Sequence, residues 1–136
     1  LSFRSWWGED HLLIHAPVEK FAASVEKSLQ QVATQFLTAR TILYANQVDR
    51  SVNRITLRDT RSRWGSCSPN GNISYSWRLI FAPQQVADYL CAHEVAHLVE
   101  MNHSPGFWAI VDRLIVDRRQ SRNWLKHNGN MLHRYG

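Results

Sequence analysis

At 136 residues, 44% of them hydrophobic, the chain is long enough for one domain with its own core and needs no disulfide scaffold. Its formal charge of +5 favours anionic partners such as nucleic acid, nucleotides or acidic peptides. No apolar run reaches the roughly 18 residues of a membrane span and no signal-peptide core is visible, so membrane partners are excluded and a cytoplasmic setting is expected.

Residues 1–7 carry Trp6 and Trp7 beside Arg4 and read as a frayed first strand. The chain begins at Leu1 rather than Met, the mark of a trimmed form or the ordered part of a longer protein. His11-Leu12-Leu13-Ile14-His15-Ala16 reads as a short strand ended by Pro17. From Val18 to about Gln47 there is no Pro or Gly, and apolar residues recur at three- and four-residue steps. That spacing predicts one long amphipathic helix, or two nearly collinear ones, covering a sheet.

Ile55–Asp59 alternates as a strand, and Arg63–Cys67 reads as a second. Gly65 inside it points to a bulge or the close approach of another backbone. Ser68-Pro69-Asn70-Gly71 is a turn, with Asn-Gly a strong hairpin signal. Over 73–80 the return strand would place Ile73, Tyr75, Trp77 and Leu79 on one face and Ser74, Ser76 and Arg78 on the other. Pro83 opens a helix running to about Met101. Ser104-Pro105 reads as an N-cap with Pro at the first helical position, opening a helix with Phe107, Trp108, Ile110, Val111, Leu114 and Ile115 on one face. A last, charged helix follows from Arg118, and Gly129 can end it. Neither repeats nor low-complexity linkers are present. Cys67 and Cys91 form no metal-binding pair and read as packing residues.

The helix after Pro83 carries His93-Glu94-Val95-Ala96-His97, with His103 six residues further on. Residues four apart share a helix face, so His93 and His97 can aim their imidazoles at one point. A catalytic zinc takes three protein ligands and leaves one position open. Glu94 sits one residue past the first ligand, where a carboxylate can take a proton from water. The competing reading is packed core histidines. Leu90, Cys91, Val95, Leu98 and Val99 make this a buried helix, where unpaired imidazoles and a carboxylate are costly.

His103 is the better third ligand if the chain turns back after the helix. Of the acids that follow, Glu100 shares the helix of the first two ligands and Asp112 would have to replace a Glu. The offset equals that of the metzincin pattern, although Glu100 occupies its glycine position and no Met-turn follows.

Arg63-Trp64-Gly65-Ser66-Cys67, Trp77-Arg78-Leu79-Ile80, Ala82-Pro83 and the run from His93 to Trp108 together resemble the YgjP-like metallopeptidase domain. That family is similar to the SprT-like and WLM metalloproteases. The resemblance covers residues 55–126. It implies zinc on His93, His97 and His103, with Glu94 as general base. Ser76 departs from the family pattern, which usually has Asn there.

The expected fold is α+β and zincin-like: a small, largely antiparallel sheet packed on the buried metal helix, with the long N-terminal helix and the C-terminal helices around it. The expected function is zinc-dependent hydrolysis of a peptide bond in a peptide or unfolded protein, laid along a hairpin edge strand. Tyr75 and Arg78 are candidate substrate contacts, and Tyr89 joins them as a candidate oxyanion partner. Glu100 or Asp112 could orient a ligand imidazole, and Glu100 could instead pair with Arg78. Two alternatives stand beside this. One is a metal-dependent nucleoside triphosphate pyrophosphohydrolase, with Arg58, Arg61, Arg63 and Arg78 near one hairpin to hold a triphosphate. The other is a nucleic-acid-associated, SprT-like protease.

Overall fold

The computed structural model describes residues 15–59 and 63–132. The strands expected over 1–7 and 11–14 lie outside them, as does Arg61. His15 and Ala16, read as the end of a strand, instead open helix α1, His15–Gln47. Pro17 is compatible with this, because the first turn of a helix needs no N–H from it. One uninterrupted helix of 33 residues replaces the option of two collinear ones. Ala33, Leu37, Thr41, Tyr44 and Ala45 form its buried stripe.

Three strands follow: β1 (Arg54–Arg58), β2 (Gly65–Cys67) and β3 (Asn72–Ser76), in the order β1-β3-β2. β2 and β3 form the expected antiparallel hairpin, with Gly65 opposite Tyr75 and Cys67 opposite Ile73. β1 lies parallel to β3 on its other side, Ile55 opposite Ile73 and Leu57 opposite Tyr75. The sheet is therefore mixed, antiparallel on one side only. Alternation tells which face of a strand is buried, but not which neighbour it takes or in what direction. In the turn, Gly71 N–H donates to the Ser68 carbonyl at 3.0 Å. Pro69 and Asn70 are thus the central pair, and Gly71 follows with φ 83°, a conformation that favours glycine.

β3 ends at Ser76, and Trp77–Phe81 is a 3-10 turn rather than more strand. Trp77, Arg78 and Leu79 are buried one after another, which an alternating strand cannot do. Arg78 turns inward to form an ion pair with Asp59, not with Glu100, and its guanidinium lies 5.1 Å over the Trp77 ring.

Helix α2 is Gln84–Ala96, with Pro83 as its N-cap. It stops short of Met101, because the chain tightens to i→i+3 bonds from His97 N–H to Glu94 and from Leu98 N–H to Val95. α3 is Pro105–Leu114, capped as expected by the Ser104 side chain, which accepts from the Phe107 N–H. α4 is Arg118–Leu132 and runs through Gly129, which does not end it.

The core lies between the inner sheet face (Ile73, Tyr75) and the buried faces of α1 and α2, with Leu37, Leu90, Cys91 and Val95 in it. Its polar members are bonded to one another. Thr41 Oγ1 donates to the Leu37 carbonyl at 2.6 Å and lies 2.8 Å from the Tyr75 hydroxyl. At the edge, Arg40 holds α1 to α2 through Asp88 at 2.7 Å. No helix of the described residues is long and apolar enough to cross a membrane.

Candidate metal centre

His93 and His97 project from one face of α2, four residues apart, as helical periodicity requires. The helix breaks at His97, the chain reverses through 98–102, and the N-cap of α3 fixes the segment carrying His103. The ligand atoms of His93, His97 and His103 then all lie within 4.8 Å of one another. The ring centroids of the three are 4.9–5.3 Å apart. The condition set by the sequence, a chain that turns back after the helix, is met.

The second nitrogen of two of these rings is engaged. His93 Nδ1 lies 3.3 Å from the Tyr89 hydroxyl, and His97 Nδ1 lies 3.2 Å from the Glu100 carbonyl oxygen. Both contacts leave Nε2 as the free atom, the usual way a ligand imidazole is held in orientation. Glu100 meets the His97 ring through its backbone carbonyl and not through its carboxylate. The Tyr89 hydroxyl is turned to the Nδ1 side of the His93 ring. Burial, and the charges that His97, His103 and Arg122 would present, push His93 down to about 3. His97 is lowered too, again by burial first. These two imidazoles are therefore neutral at ordinary pH, the form that ligates.

Phe107 forms a floor beneath the triad. It is fully buried, with its ring 5.0, 4.5 and 4.9 Å from His93, His97 and His103. Trp108 stacks on His103 at 5.8 Å, and Arg118 and Arg122 lie 4.5 and 4.8 Å from its ring centroid. α4 is thus tied to the ligand loop through one indole. From sequence both aromatics belong to the apolar face of a helix that clamps the loop carrying His103 and to the run from His93 to Trp108 that carries the family resemblance; their ring contacts with the imidazoles are seen only in the structure.

Glu94 is 4% exposed and points toward the hairpin. A Cβ on Gly65 would stand 3.1 Å from Glu94 Oε2 and 3.1 Å from the Ser74 carbonyl. The close approach that Gly65 signalled is therefore to a side chain as well as to backbone. Burial pushes Glu94 up to about 8, with Arg63 opposing the shift. A carboxyl group in that range can both take and return a proton near neutral pH.

Tyr75 and Arg78, expected as substrate contacts, are both buried, at 1% and 4% exposure. Tyr75 has its hydroxyl on Thr41 and Arg78 its guanidinium on Asp59. Both sit in the framework of the sheet and the 3-10 turn, Tyr75 bonded within the core and Arg78 reaching out to the more exposed Asp59, with its Nε left without a partner among the described residues. Ser76, in the position where Asn was expected, is fully buried, and its hydroxyl has no partner among the described residues. Burial raises Cys67 to about 11 and Cys91 to about 12, so neither thiol is poised as a nucleophile.

A triad of imidazoles on a broken helix, a carboxylate beside the first of them and a small sheet alongside define a zincin-like α+β metallopeptidase fold. The chain belongs to the YgjP-like family, whose metallopeptidase-domain model matches residues 8–128. The fold is shared with the metallopeptidase zymogen abylysin of Pyrococcus abyssi, at 18% identity and a TM-score of 0.51, covering 78% of this chain and 93% of that one. No curated protein matches the chain by sequence. Family and fold make it a metal-dependent, peptidase-like hydrolase.

Proposed function

We propose that the protein is a zinc-dependent peptidase that cleaves an amide bond in an extended or unfolded polypeptide. The donor set fits the metal: three imidazole nitrogens within reach of one point, two with their second nitrogens engaged, leave a fourth position open. His93, His97 and His103 would hold the zinc, which when bound acidifies water and polarises a carbonyl. Glu94 takes the proton of the attacking water and returns it to the leaving amine. Its burial keeps its proton affinity in the range where both transfers are feasible.

The observation that carries the substrate class is the contact of Gly65 with Glu94. β2 is a sheet edge among the described residues, and its first residue lies against the proposed general base. A peptide adding as a strand to the free side of β2 would present its backbone carbonyls beside Glu94. The two unpaired cysteines agree with a reducing, cytoplasmic setting.

The test is steady-state kinetics of the zinc-loaded protein on an unfolded protein and on nucleoside triphosphates, with Glu94→Gln as the blank. Turnover of the polypeptide that falls about 10²–10⁴-fold in the variant is the expected result. Glu94-dependent turnover of triphosphates alone would replace the peptidase reading with a phosphohydrolase.

A further inference from the structure

The outer face of the sheet, turned away from Glu94, is a basic trough. Alternation along β1 sends Ile55 and Leu57 inward and Arg54, Thr56 and Arg58 outward. Ser74 and Ser66 continue the outer face across β3 and β2, their hydroxyl oxygens 2.6 Å apart, and Arg63, whose charge also reaches Glu94, stands at the rim. Together these residues line an open depression of about 680 Å³ with no acidic residue in its wall. Asp59, the acid next to Arg58, is drawn to the other side by Arg78. Arg54 and Arg58 consequently have no ion-pair partner among the described residues.

We infer that this trough binds the phosphate backbone of single-stranded nucleic acid without reading its bases. Guanidinium groups with serine and threonine hydroxyls between them are the chemistry that holds phosphate. Their spacing favours a chain over a compact anion. Arg54 and Arg58 are four residues apart, roughly 13 Å along the strand, and the sheet is roughly 10 Å across. The charges are strung out along a line with neutral donors between them, rather than gathered around one point. The only aromatic residue in the wall, Tyr75, has its hydroxyl on Thr41 in the core, so no ring is offered for base stacking.

The experiment is fluorescence anisotropy of a labelled, mixed-sequence 12-nucleotide single-stranded DNA against the whole chain in chelator, over a range of salt concentrations. Chelator removes the metal site from the readout, so the result stands apart from the peptidase reading. Expected is binding that weakens with salt at a log–log slope of about −1.4, from the phosphates held by Arg54 and Arg58 at about 0.7 each. Arg54→Glu with Arg58→Glu should weaken it at least tenfold and flatten the slope. Arg54→Gln with Arg58→Gln, a milder change should the reversal fail to fold, should fall between. Arg113→Glu with Arg119→Glu removes the same net charge from exposed sites on α3 and α4 and should bind as the unmodified chain does. The inference is overturned if that control weakens binding as much as the trough variants, or if the trough variants bind undiminished. Tighter binding of a nucleoside triphosphate than of the oligonucleotide would also overturn it, making the trough a free-nucleotide site.

Discussion

Gly65 leaves room for the carboxylate on which the proposed chemistry depends. A methyl group there would meet Glu94 Oε2 and the Ser74 carbonyl, each at 3.1 Å. Both neighbours must give by a few tenths of an ångström, and the Glu94 side chain is freer to shift than a carbonyl of the sheet. Gly65→Ala should therefore cut kcat at least tenfold while the protein still binds one metal per chain, measured by turnover and metal analysis of the same preparation. The titration of Glu94 and His93 gives a second prediction, for the metal-free protein. Glu94 is raised from 4.5 to about 8, so between those values the folded chain keeps a proton the unfolded chain has lost. Its contribution to stability falls as pH rises through that window. His93, lowered from 6.5 to about 3, acts in the opposite sense and raises stability as pH climbs through that range. Above pH 6.5 the falling slope of Glu94 remains. Melting temperature of the metal-free protein should drop between pH 6.5 and 8.5, and that drop should vanish in Glu94→Gln.

At the scale of elements, the site depends on where α2 stops. Had the helix continued to Met101, as its apolar pattern allowed, His103 would be carried away from His93 and His97. The tightened turn at His97, together with the Ser104 cap of α3, brings the three rings to within 4.9–5.3 Å of one another. Trp108 then holds His103 from α3 and is itself covered by Arg118 and Arg122 of α4. Trp108→Ala should weaken zinc affinity about 10–100-fold, the usual effect of losing a support behind a ligand. Competition with a chromogenic chelator measures this directly. An unchanged affinity would show that the Ser104 cap alone positions the loop.

For the whole molecule, the candidate metal centre is a junction of α2, the following turn and α3, which share Phe107 as a common floor. An ion bound there stabilises the folded chain by mass action, about 2.7 kcal/mol at a free concentration 100 times the Kd. Removing it with a chelator should lower the melting temperature by several degrees, and stoichiometric zinc should restore it. His103→Ala should abolish most of that difference, as read in paired thermal scans with and without metal. The two faces of the sheet divide the remaining work. The inner face holds the core and Glu94, and the outer face carries Arg54 and Arg58.

The cluster of imidazoles and the carboxylate beside it were legible in the sequence because their parts are local. The four-residue step from His93 to His97, the adjacency of Glu94, and the Ser104-Pro105 cap each lie within one or two turns of a helix, where geometry follows from spacing. The hairpin and the long first helix were legible for the same reason. What only the tertiary structure decided is non-local. The central place of β3 and its parallel pairing with β1 depend on partners far along the chain, and alternation is blind to them. Arg78 is paired with Asp59 and Tyr75 with Thr41 because folding buried Arg78 and Tyr75, and burial favours a partner for each polar group even where that partner lies far along the chain. Gly65 against Glu94 is the same case. A missing side chain in a strand announces that something comes close, but only packing the hairpin onto α2 determines that it is the carboxylate.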